Sequence, residues 1–262
     1  MIKRAHLRLG SRKWNPTIYK GGTEYKAVNI YGNYAEYEDS GIPKIPSGYT
    51  LVPYIECLSG MAYINTGLFA DKTTRVVADL TFPSSNSTYP RIFTSGNEYT
   101  YCLGLYIESG TQIRMKYFTG GGWPDVAVEY SYSNNLANKR ILFDYVPQEG
   151  LYVEYNLLIQ HVTSGEARTS PGHIMLLINS KATSSSNIDA VGTKTTEYCR
   201  CKQHEWRIYT GGELVSNLFP VTRDSDSEPG LYDTVRELFF TSPNGNHFTA
   251  GSGEWTPHPP AE

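Results

Sequence analysis

The sequence lacks a hydrophobic run long enough to cross a bilayer. Its longest run, IMLLI at 174–178, is far shorter than the roughly 20 apolar residues of a membrane-spanning helix. The charged N-terminus is also not followed by the apolar segment of a signal peptide. We therefore expect a protein that is made in the cytoplasm without a signal peptide and is not inserted into a membrane.

Cysteine is scarce, with four residues in a chain of 262, so a scaffold held together by disulfides is not predicted. Cys199 and Cys201 are separated by one residue, and alternate residues of a strand lie about 6.6 Å apart, which disfavours a bridge between them. His204 is near, but a zinc site needs four ligands and no second pair follows at ligand spacing. We predict free, mostly buried thiols.

Acidic residues are missing from the first 23 positions. The net charge of the whole chain is only −3, too small to indicate a nucleic-acid or membrane-surface partner. The basic start, residues 1–15, could make phosphate contacts with nucleic acid, but no basic face on a folded element supports that interpretation. An arm that docks on an acidic groove of a larger assembly and becomes ordered there explains the charge equally well. Its candidate anchoring residues are Arg4, Arg8, Arg12, Lys13 and Trp14.

Helical periodicity is absent beyond a turn or two, whereas strand alternation recurs. In RVVADLTF, residues 75–82, one face carries Val76 and the other carries Asp79, which predicts a half-buried antiparallel strand. Turn clusters such as SSN at 84–86 and GGG at 120–122 separate roughly ten or more short strands. This pattern predicts an all-β fold, a two-sheet antiparallel jelly-roll sandwich.

The segment CRCKQHEWRIYTGGEL, residues 199–214, contains an irregularity. Cys199 and Cys201 belong to one alternation, but Trp206 belongs to the opposite one. A β-bulge near Lys202 to His204 would let all of them face inward. The Gly-Gly pair that follows predicts a hairpin turn.

Changes in composition predict four segments. The basic arm, 1–15, is followed by a small β-ribbon that serves as an anchor module and ends in a Pro-rich link, 16–48. The jelly roll occupies 49–251, and a Pro-rich C-terminal tail occupies 252–262. The ribbon is too thin to bury a core of its own.

Motifs of catalysis are missing as well. The sequence has no G-x-S-x-G nucleophile elbow, and no inward-facing strand carries acids at the alternate positions that a glycosidase uses. Enzymatic activity is not predicted. The acidic segment DSDSE at 224–228 leaves calcium binding at Asp224 and Asp226 as an alternative to an ordinary solvated loop.

Aromatic residues give the positive signal for binding. Seven of them lie within about 35 residues, and flat rings with polar edges suit sugars or a protein partner. Trp123 is the sharpest case, because it stands in the glycine-rich segment TGGGWPD. The alternative is that the tyrosines fill or edge the sandwich. The candidate ligand residues are Trp123, Tyr117, Tyr106, Tyr101 and Asp125.

The stretch EPGLYDTVRELFFTSPNGNHFTAG, residues 228–251, predicts a structural clasp. We expect the Asp233 carboxylate to hold backbone amides in the turn after Tyr232, as in an Asx turn, and SPNG to return the chain to the sheet. The apolar residues that follow are expected to face inward: Val235, Leu238, Phe239 and Phe240. The clasp residues are Tyr232, Asp233, Phe240 and Phe248.

Three segments together resemble a known family. YIECLSGMAYINTGL (54–68), WRIYTGGELVSNLFPVTR (206–223) and GLYDTVRELFFTSPNGNHFTAG (230–251) are similar to the opening and closing strands of concanavalin A-like (LamG-type) jelly-roll domains. These domains occur in virion proteins of tailed phages, especially phages of gut bacteria. The ribbon at 16–48 also resembles the small β module that often precedes them.

The resemblance implies a non-enzymatic virion structural protein, such as a tail fibre, head fibre or capsid decoration protein. It implies virion partners, a homo-oligomer such as a trimer, and a displayed domain that can touch a host-surface glycan. A dedicated carbohydrate-binding lectin module remains the alternative. A polysaccharide-degrading enzyme is disfavoured, because glucanases of the family carry a paired-glutamate strand that this chain lacks.

Overall fold

The computed structural model describes residues 17–20, 23–31, 34–37, 43–57, 62–86, 89–95, 103–116, 125–160, 174–178 and 198–259. For the strands between 17 and 37, and for 125–127 and 174, the description covers the backbone alone. The chain divides into two compact units, residues 1–43 with 259–262, and residues 44–258. None of the helical structure in the described ranges has the length and apolar character of a membrane span.

The smaller unit contains a three-stranded antiparallel sheet. Its strands are β1 (Thr17–Lys20), β2 (Thr23–Tyr31) and β3 (Tyr34–Tyr37), and they pair in chain order. All three contain tyrosine, a residue that favours extended backbone. A sheet of this size is marginal by itself.

Six strands of the larger unit form one antiparallel sheet. In spatial order they are β11 (Asp125–Glu129), β10 (Gln112–Lys116), β9 (Leu103–Glu108), β8 (Arg91–Ser95), β15 (Ile174–Leu177) and β6 (Ile64–Phe69).

Eleven strands form the second antiparallel sheet. Eight follow one path in the order β14 (Asn156–Gln160), β13 (Gly150–Val153), β12 (Arg140–Val146), β7 (Arg75–Thr81), β16 (Lys202–Thr210), β17 (Glu213–Arg223), β18 (Glu228–Asp233) and β19 (Leu238–Phe240). Beside them, β4 (Tyr49–Leu51) pairs with β17, and β5 (Ile55–Glu56) pairs with β16 and with β20 (Thr249–Ala250). One π-helical turn covers Tyr132–Leu136.

The two sheets share one hydrophobic core. Val76 and Leu80 of the eleven-stranded sheet and Leu105 and Ile107 of the six-stranded sheet are fully buried members of a single cluster, with Trp206 among them. Strand alternation sends these side chains to the same interior from both sides. The larger unit is therefore an all-β, two-sheet antiparallel sandwich of the jelly-roll type, as the sequence predicts.

The prediction that β7 is half-buried is wrong. Val77 and Asp79, on the face opposite the core, are only 2% and 1% exposed. The strand lies between β12 and β16 in the middle of its sheet, and Arg140 and His258 cover the Asp79 carboxylate. A central strand that is covered on both sides buries both of its faces.

The predicted bulge is present in β16. The register of this strand against β7 shifts between Gln203 and Glu205. As a result Cys199, Cys201 and Trp206 are all buried, at 3% exposure or less. The break in alternation is thus resolved by one extra residue in the strand.

The predicted Gly-Gly hairpin joins β16 to β17. Thr210 pairs with Glu213 across it, and Gly211 and Gly212 have φ angles of 58° and 79°. Two positive φ angles in a two-residue loop match the type I′ turn, whose twist fits the flanking strands.

Asp233, the last residue of β18, has the hydrogen-bond geometry predicted for the clasp. Its side chain is fully buried. Oδ1 accepts hydrogen bonds from the backbone N–H groups of Val235 (2.9 Å), Arg236 (3.2 Å) and Asn217 (3.1 Å). Oδ2 accepts from Ser216 Oγ and Arg236 Nε, both at 2.6 Å. One carboxylate therefore connects β17, β18 and the following turn.

Arg236 extends these contacts to the other sheet. Its Nη1 donates a 2.6 Å hydrogen bond to the carbonyl oxygen of Thr66 in β6, and its guanidinium carbon lies 4.9 Å from the Phe240 ring centroid. The ion pair with Asp233 holds this side chain in place. The clasp thus links an edge strand of the six-stranded sheet to the closing strands of the eleven-stranded sheet.

The apolar residues after Asp233 only partly follow the prediction. Val235 and Leu238 are 43% and 47% exposed, and Phe240 is half-buried. The prediction that Val235 and Leu238 face inward is wrong. The Asp233 carboxylate holds the backbone in a turn, and this turn directs Arg236 toward Thr66 and the side chains of Val235 and Leu238 outward. Phe248 does return to the core, at 3% exposure.

Gly230 and Tyr232 of the GLYD motif have steric roles. A Cβ atom at Gly230 would collide with the Phe240 carbonyl oxygen and the Phe239 ring, so β19 can approach only a glycine. The Tyr232 ring packs 4.8 Å from that of Tyr49 in β4. Both residues hold neighbouring strands close to β18.

Replacing Asp233 by Ala is expected to lower the free energy of unfolding by about 3 kcal/mol, because a buried arginine contact and several backbone amides lose their acceptor. Urea unfolding measures the change. Asp226→Ala is the matched control, since Asp226 also pairs with an arginine three positions away, Arg223, but both side chains are exposed. That variant should unfold like the wild type. Equal midpoints for the two variants would contradict the clasp.

Candidate functional site

A cluster of cations surrounds a tyrosine on the outer face of the six-stranded sheet. Tyr106 in β9 lies opposite Arg91 in β8. The guanidinium carbon of Arg91 is 4.0 Å from the Tyr106 ring centroid, and Nζ of Lys116 in β10 is 5.1 Å from it. All three residues are 9% exposed or less. The ring attracts both cations through its negative π face.

Polar pairs continue this face toward β11. Arg114 forms an ion pair with Glu108, and Gln112 Nε2 donates a 2.6 Å hydrogen bond to Glu129 Oε1. Gln112 is directly opposite both Glu108 and Glu129 in the sheet register. The outer face of three neighbouring strands therefore presents charged groups of both signs together with amide donors and acceptors.

The structure describes two of the five predicted ligand residues. Tyr106 is in β9 and the backbone of Asp125 begins β11, whereas Tyr101, Tyr117 and Trp123 lie outside the described residues. The predicted arm residues also lie outside them: Arg4, Arg8, Arg12, Lys13 and Trp14.

The strand register relates the two described positions. Asp125 pairs with Lys116, which in turn pairs with Gly104, so the start of β9, the end of β10 and the start of β11 lie side by side. Tyr106 is 5% exposed and has the Arg91 guanidinium over its ring. It therefore offers no bare ring face on which a sugar could stack.

The predicted calcium ligands are engaged in other contacts. Asp224 accepts a 2.8 Å hydrogen bond from Thr50 Oγ1, and Asp226 accepts two from Arg223, at 3.0 and 2.5 Å. Across the described ranges, no three His, Cys, Asp or Glu side chains are grouped so that they could hold a metal ion. Both acids lie in the connection between β17 and β18, where Thr50 and Arg223 occupy their oxygens.

Three cysteines have a position in the structure. Cys57, Cys199 and Cys201 are buried free thiols, in agreement with the burial predicted for them, and Cys102 lies outside the described residues. They pack within the core between the sheets.

A C-terminal strap, residues 251–258, packs against the eleven-stranded sheet. Trp255 Nε1 donates a 2.9 Å hydrogen bond to the carbonyl oxygen of His204, and the Trp255 ring lies 5.4 Å from Phe219. Arg140 Nη2 donates to the Thr256 carbonyl oxygen at 2.8 Å. Sequence reasoning missed this role, although a Trp and a His among prolines in GEWTPHPP were a signal that the segment packs on something.

His258 ends the strap between two carboxylates. Its Nδ1 is 3.1 Å from Asp79 Oδ1, and its Nε2 is 3.3 Å from Glu154 Oε2. Ionised carboxylates only accept hydrogen bonds, so both ring nitrogens must carry a proton. Burial lowers the pKa of His258, but the hydrogen bonds to Asp79 and Glu154 outweigh it and raise the pKa to about 9.

The carboxylates on the outer face of the eleven-stranded sheet are paired with cations. Asp79 also accepts hydrogen bonds from Arg140 Nε (2.9 Å) and Nη2 (2.6 Å). Arg75 donates two hydrogen bonds to Asp144, at 2.9 and 2.8 Å. Burial raises the pKa of Asp79, but hydrogen bonds from His258 and Arg140 outweigh it and leave that pKa below its ordinary value. A general acid needs the opposite shift, so this network fits a structural role.

His204, at the bulge of β16, is neutral instead. Nδ1 is 2.8 Å from the Pro53 carbonyl oxygen, so it carries the proton and donates, while Nε2 accepts from Thr81 Oγ1 at 2.8 Å. Burial lowers the pKa of His204 to about 4. Burial therefore holds His204 neutral, whereas two carboxylates hold His258 charged.

Comparisons with known proteins identify no family. No family model matches the chain, and no curated protein matches it. Among the solved structures, a native heptameric SAP-like pentraxin from Limulus polyphemus is similar, with 9% identity, a TM-score of 0.33, and coverage of 78% of this chain and 87% of the pentraxin chain. A likeness this distant carries no argument about ligand or assembly.

From the opposite pKa shifts of His258 and His204, we expect the folded state to be most stable near pH 6.5, the ordinary pKa of histidine. His258 has a raised pKa, so its contribution is complete below pH 6.5 and is lost as the pH rises toward 9. His204 has a lowered pKa, so its contribution is complete above pH 6.5 and is lost as the pH falls toward 4. Melting temperatures across this range measure both effects.

His258→Gln should flatten the alkaline side of this profile and leave the acid side in place. The exposed His247 provides the control, since His247→Gln leaves the contacts of His258 with Asp79 and Glu154 in place. An unchanged fall in melting temperature between pH 6.5 and 9 in His258→Gln would contradict the assignment of the charged histidine.

Proposed function

We propose that this chain is a non-enzymatic structural protein of a tailed-phage particle, a fibre, decoration or tail component. Its N-terminal region attaches it to other virion proteins, and the jelly roll is displayed on the particle. The assembled form is a homo-oligomer, and the displayed domain touches a host-surface glycan.

The position of the three resembling segments carries this proposal. Segment 54–68 contains β5 and all but the last residue of β6. Segment 206–223 contains most of β16 and all of β17, and segment 230–251 contains β19, β20 and most of β18. Within the larger sheet β5 pairs with β16 and β20, and β17 pairs with β16 and β18. Apart from β6, which lies in the six-stranded sheet, the strands of the segments that resemble virion jelly-roll domains thus form one connected block.

The state of the buried acids supports a role without catalysis. Asp79, Asp144 and Asp233 each accept hydrogen bonds from an arginine. A glycosidase instead keeps one carboxyl group protonated by a raised pKa opposite a second carboxylate. Each of these three carboxylates is paired with an arginine.

The mixed polar face around Tyr106 supports contact with a glycan. Arg114, Glu108, Gln112 and Glu129 lie on three adjacent strands and offer donors and acceptors in a fixed arrangement. Sugars are bound by such planar sets of polar groups with an aromatic ring beside them. The ring in this proposal is Trp123, two positions before β11 begins.

Deletion of residues 1–43 should abolish incorporation into particles, because the small unit is the proposed attachment module. Circular dichroism of the truncated protein should still show a folded β domain. The control is full-length Asp226→Ala, which alters an exposed ion pair and should be incorporated normally. Normal incorporation of the folded, truncated chain would refute the anchor.

Trp123→Ala should weaken glycan binding on an array about fivefold, since removal of a stacked aromatic ring costs roughly 1 kcal/mol. Phe69→Ala is the matched control, because Phe69 is an aromatic residue that is 52% exposed on β6, at the opposite edge of the same sheet. Equal binding by wild type and Trp123→Ala would exclude this ring, and absence of binding by the wild type would exclude the glycan.

A further inference from the structure

The register of β5 against β16 indicates that two cysteines far apart in the sequence lie opposite each other. Glu56 is opposite Lys202 and Ile55 is opposite Gln203, so paired positions in this antiparallel ladder sum to 258. Continued by one residue beyond these two pairs, the same register places Cys57 opposite Cys201. These two residues stand 144 positions apart in the chain (201 − 57).

Burial and geometry place the two thiols together. Cys57 and Cys201 are 2% and 3% exposed and belong to the same core cluster. Opposite residues of an antiparallel pair have Cα atoms about 4.5 to 5.5 Å apart, within the range of roughly 4.4 to 6.8 Å that a disulfide requires. Cys57 also contributes to the upward shift of the pKa of Cys201, after burial and the hydrogen bond with Cys199.

Cys199 contacts Cys201 through a side-chain hydrogen bond, but the Cys199 Sγ also accepts a 3.7 Å hydrogen bond from Asn86 Nδ2. It precedes Cys201 by two positions, and extended backbone separates alternate residues by about 6.6 Å. The Cys199 backbone N–H donates a 2.8 Å hydrogen bond to the carbonyl oxygen of Ile178, which fixes this residue toward a different segment. Cross-strand pairing therefore favours Cys57 with Cys201.

We propose that Cys57 and Cys201 are a latent cross-strand disulfide that locks β5 to β16 when the protein meets an oxidant. A low-molecular-weight disulfide such as oxidised glutathione supplies the co-reactant. One thiolate attacks it and releases one reduced thiol, and the second thiolate then attacks the mixed disulfide and releases another. The new Sγ–Sγ bond replaces two S–H bonds, and the two electrons reduce the glutathione disulfide to two thiols.

The fold controls when this reaction occurs. Burial raises the pKa of Cys201 well above its ordinary value, which leaves little thiolate to react. The two-residue pairing of β5 with β16 must open for an oxidant to enter, so oxidation is slow in the native state and fast during refolding. Once formed, the bond closes a long loop and restricts the unfolded chain.

Refolding of the purified full-length chain in a glutathione redox buffer tests the proposal. The free thiols, titrated under denaturing conditions, should fall from the four of the sequence to two. Peptide mapping without reduction should find one linked pair that contains Cys57 and Cys201. The melting temperature of the oxidised protein should exceed that of the reduced protein by several degrees.

Two variants separate this pair from other pairings. Cys57→Ala should retain three free thiols after oxidation, whereas the control Cys199→Ala should still form the link and retain one. If Cys57→Ala does not fold, the peptide map of the wild type decides the question. A bridge that includes Cys199 or Cys102, or four free thiols after refolding in the oxidising buffer, would overturn the proposal.

Discussion

The closing strands depend on one buried carboxylate. Asp233 accepts hydrogen bonds from β17, from the turn after β18 and from Arg236, which reaches the Thr66 carbonyl oxygen in the other sheet. A buried acid is costly unless its oxygens are fully satisfied, and here five donor groups satisfy them. The same contacts that stabilise the charge also fix the register of the final strands and join the two layers of the sandwich.

A second electrostatic contact closes the chain on the opposite side of the larger sheet. The C-terminal strap ends at His258, whose charged ring lies between Asp79 and Glu154. Trp255 and the Thr256 carbonyl oxygen add a packing contact and a hydrogen bond with Arg140. Residues from the end of the chain thus pair with the acids of this face and pack against its strands.

Local patterns were enough to predict part of this structure. The alternation break between Cys201 and Trp206 predicts the bulge because strand faces alternate strictly. The Gly-Gly pair predicts the hairpin because glycine adopts positive φ angles without a steric cost. The backbone contacts of Asp233 follow from its short side chain at the start of a turn. Apart from the Asn217 amide, which binds Asp233 from 16 positions away, each of these features depends on residues within a few positions of one another.

Other features depend on partners far along the chain. Asp79 is buried because His258, 179 positions later, reaches it, and no pattern around residues 75–82 indicates that contact. Val235 and Leu238 point outward because Arg236 turns inward toward Thr66, 170 positions earlier. The cation pair over Tyr106 likewise requires the register of β8, β9 and β10. The aromatic pattern alone could mark a binding segment but could not show which rings stay accessible.

The proposed place of the chain in a phage particle can be checked by quantitative mass spectrometry of particles purified by density-gradient centrifugation from an infected culture. The chain should band with the particles at a fixed copy number that is a multiple of its oligomeric state. A chain that stays in the soluble fraction of the lysate, absent from intact particles, would contradict it.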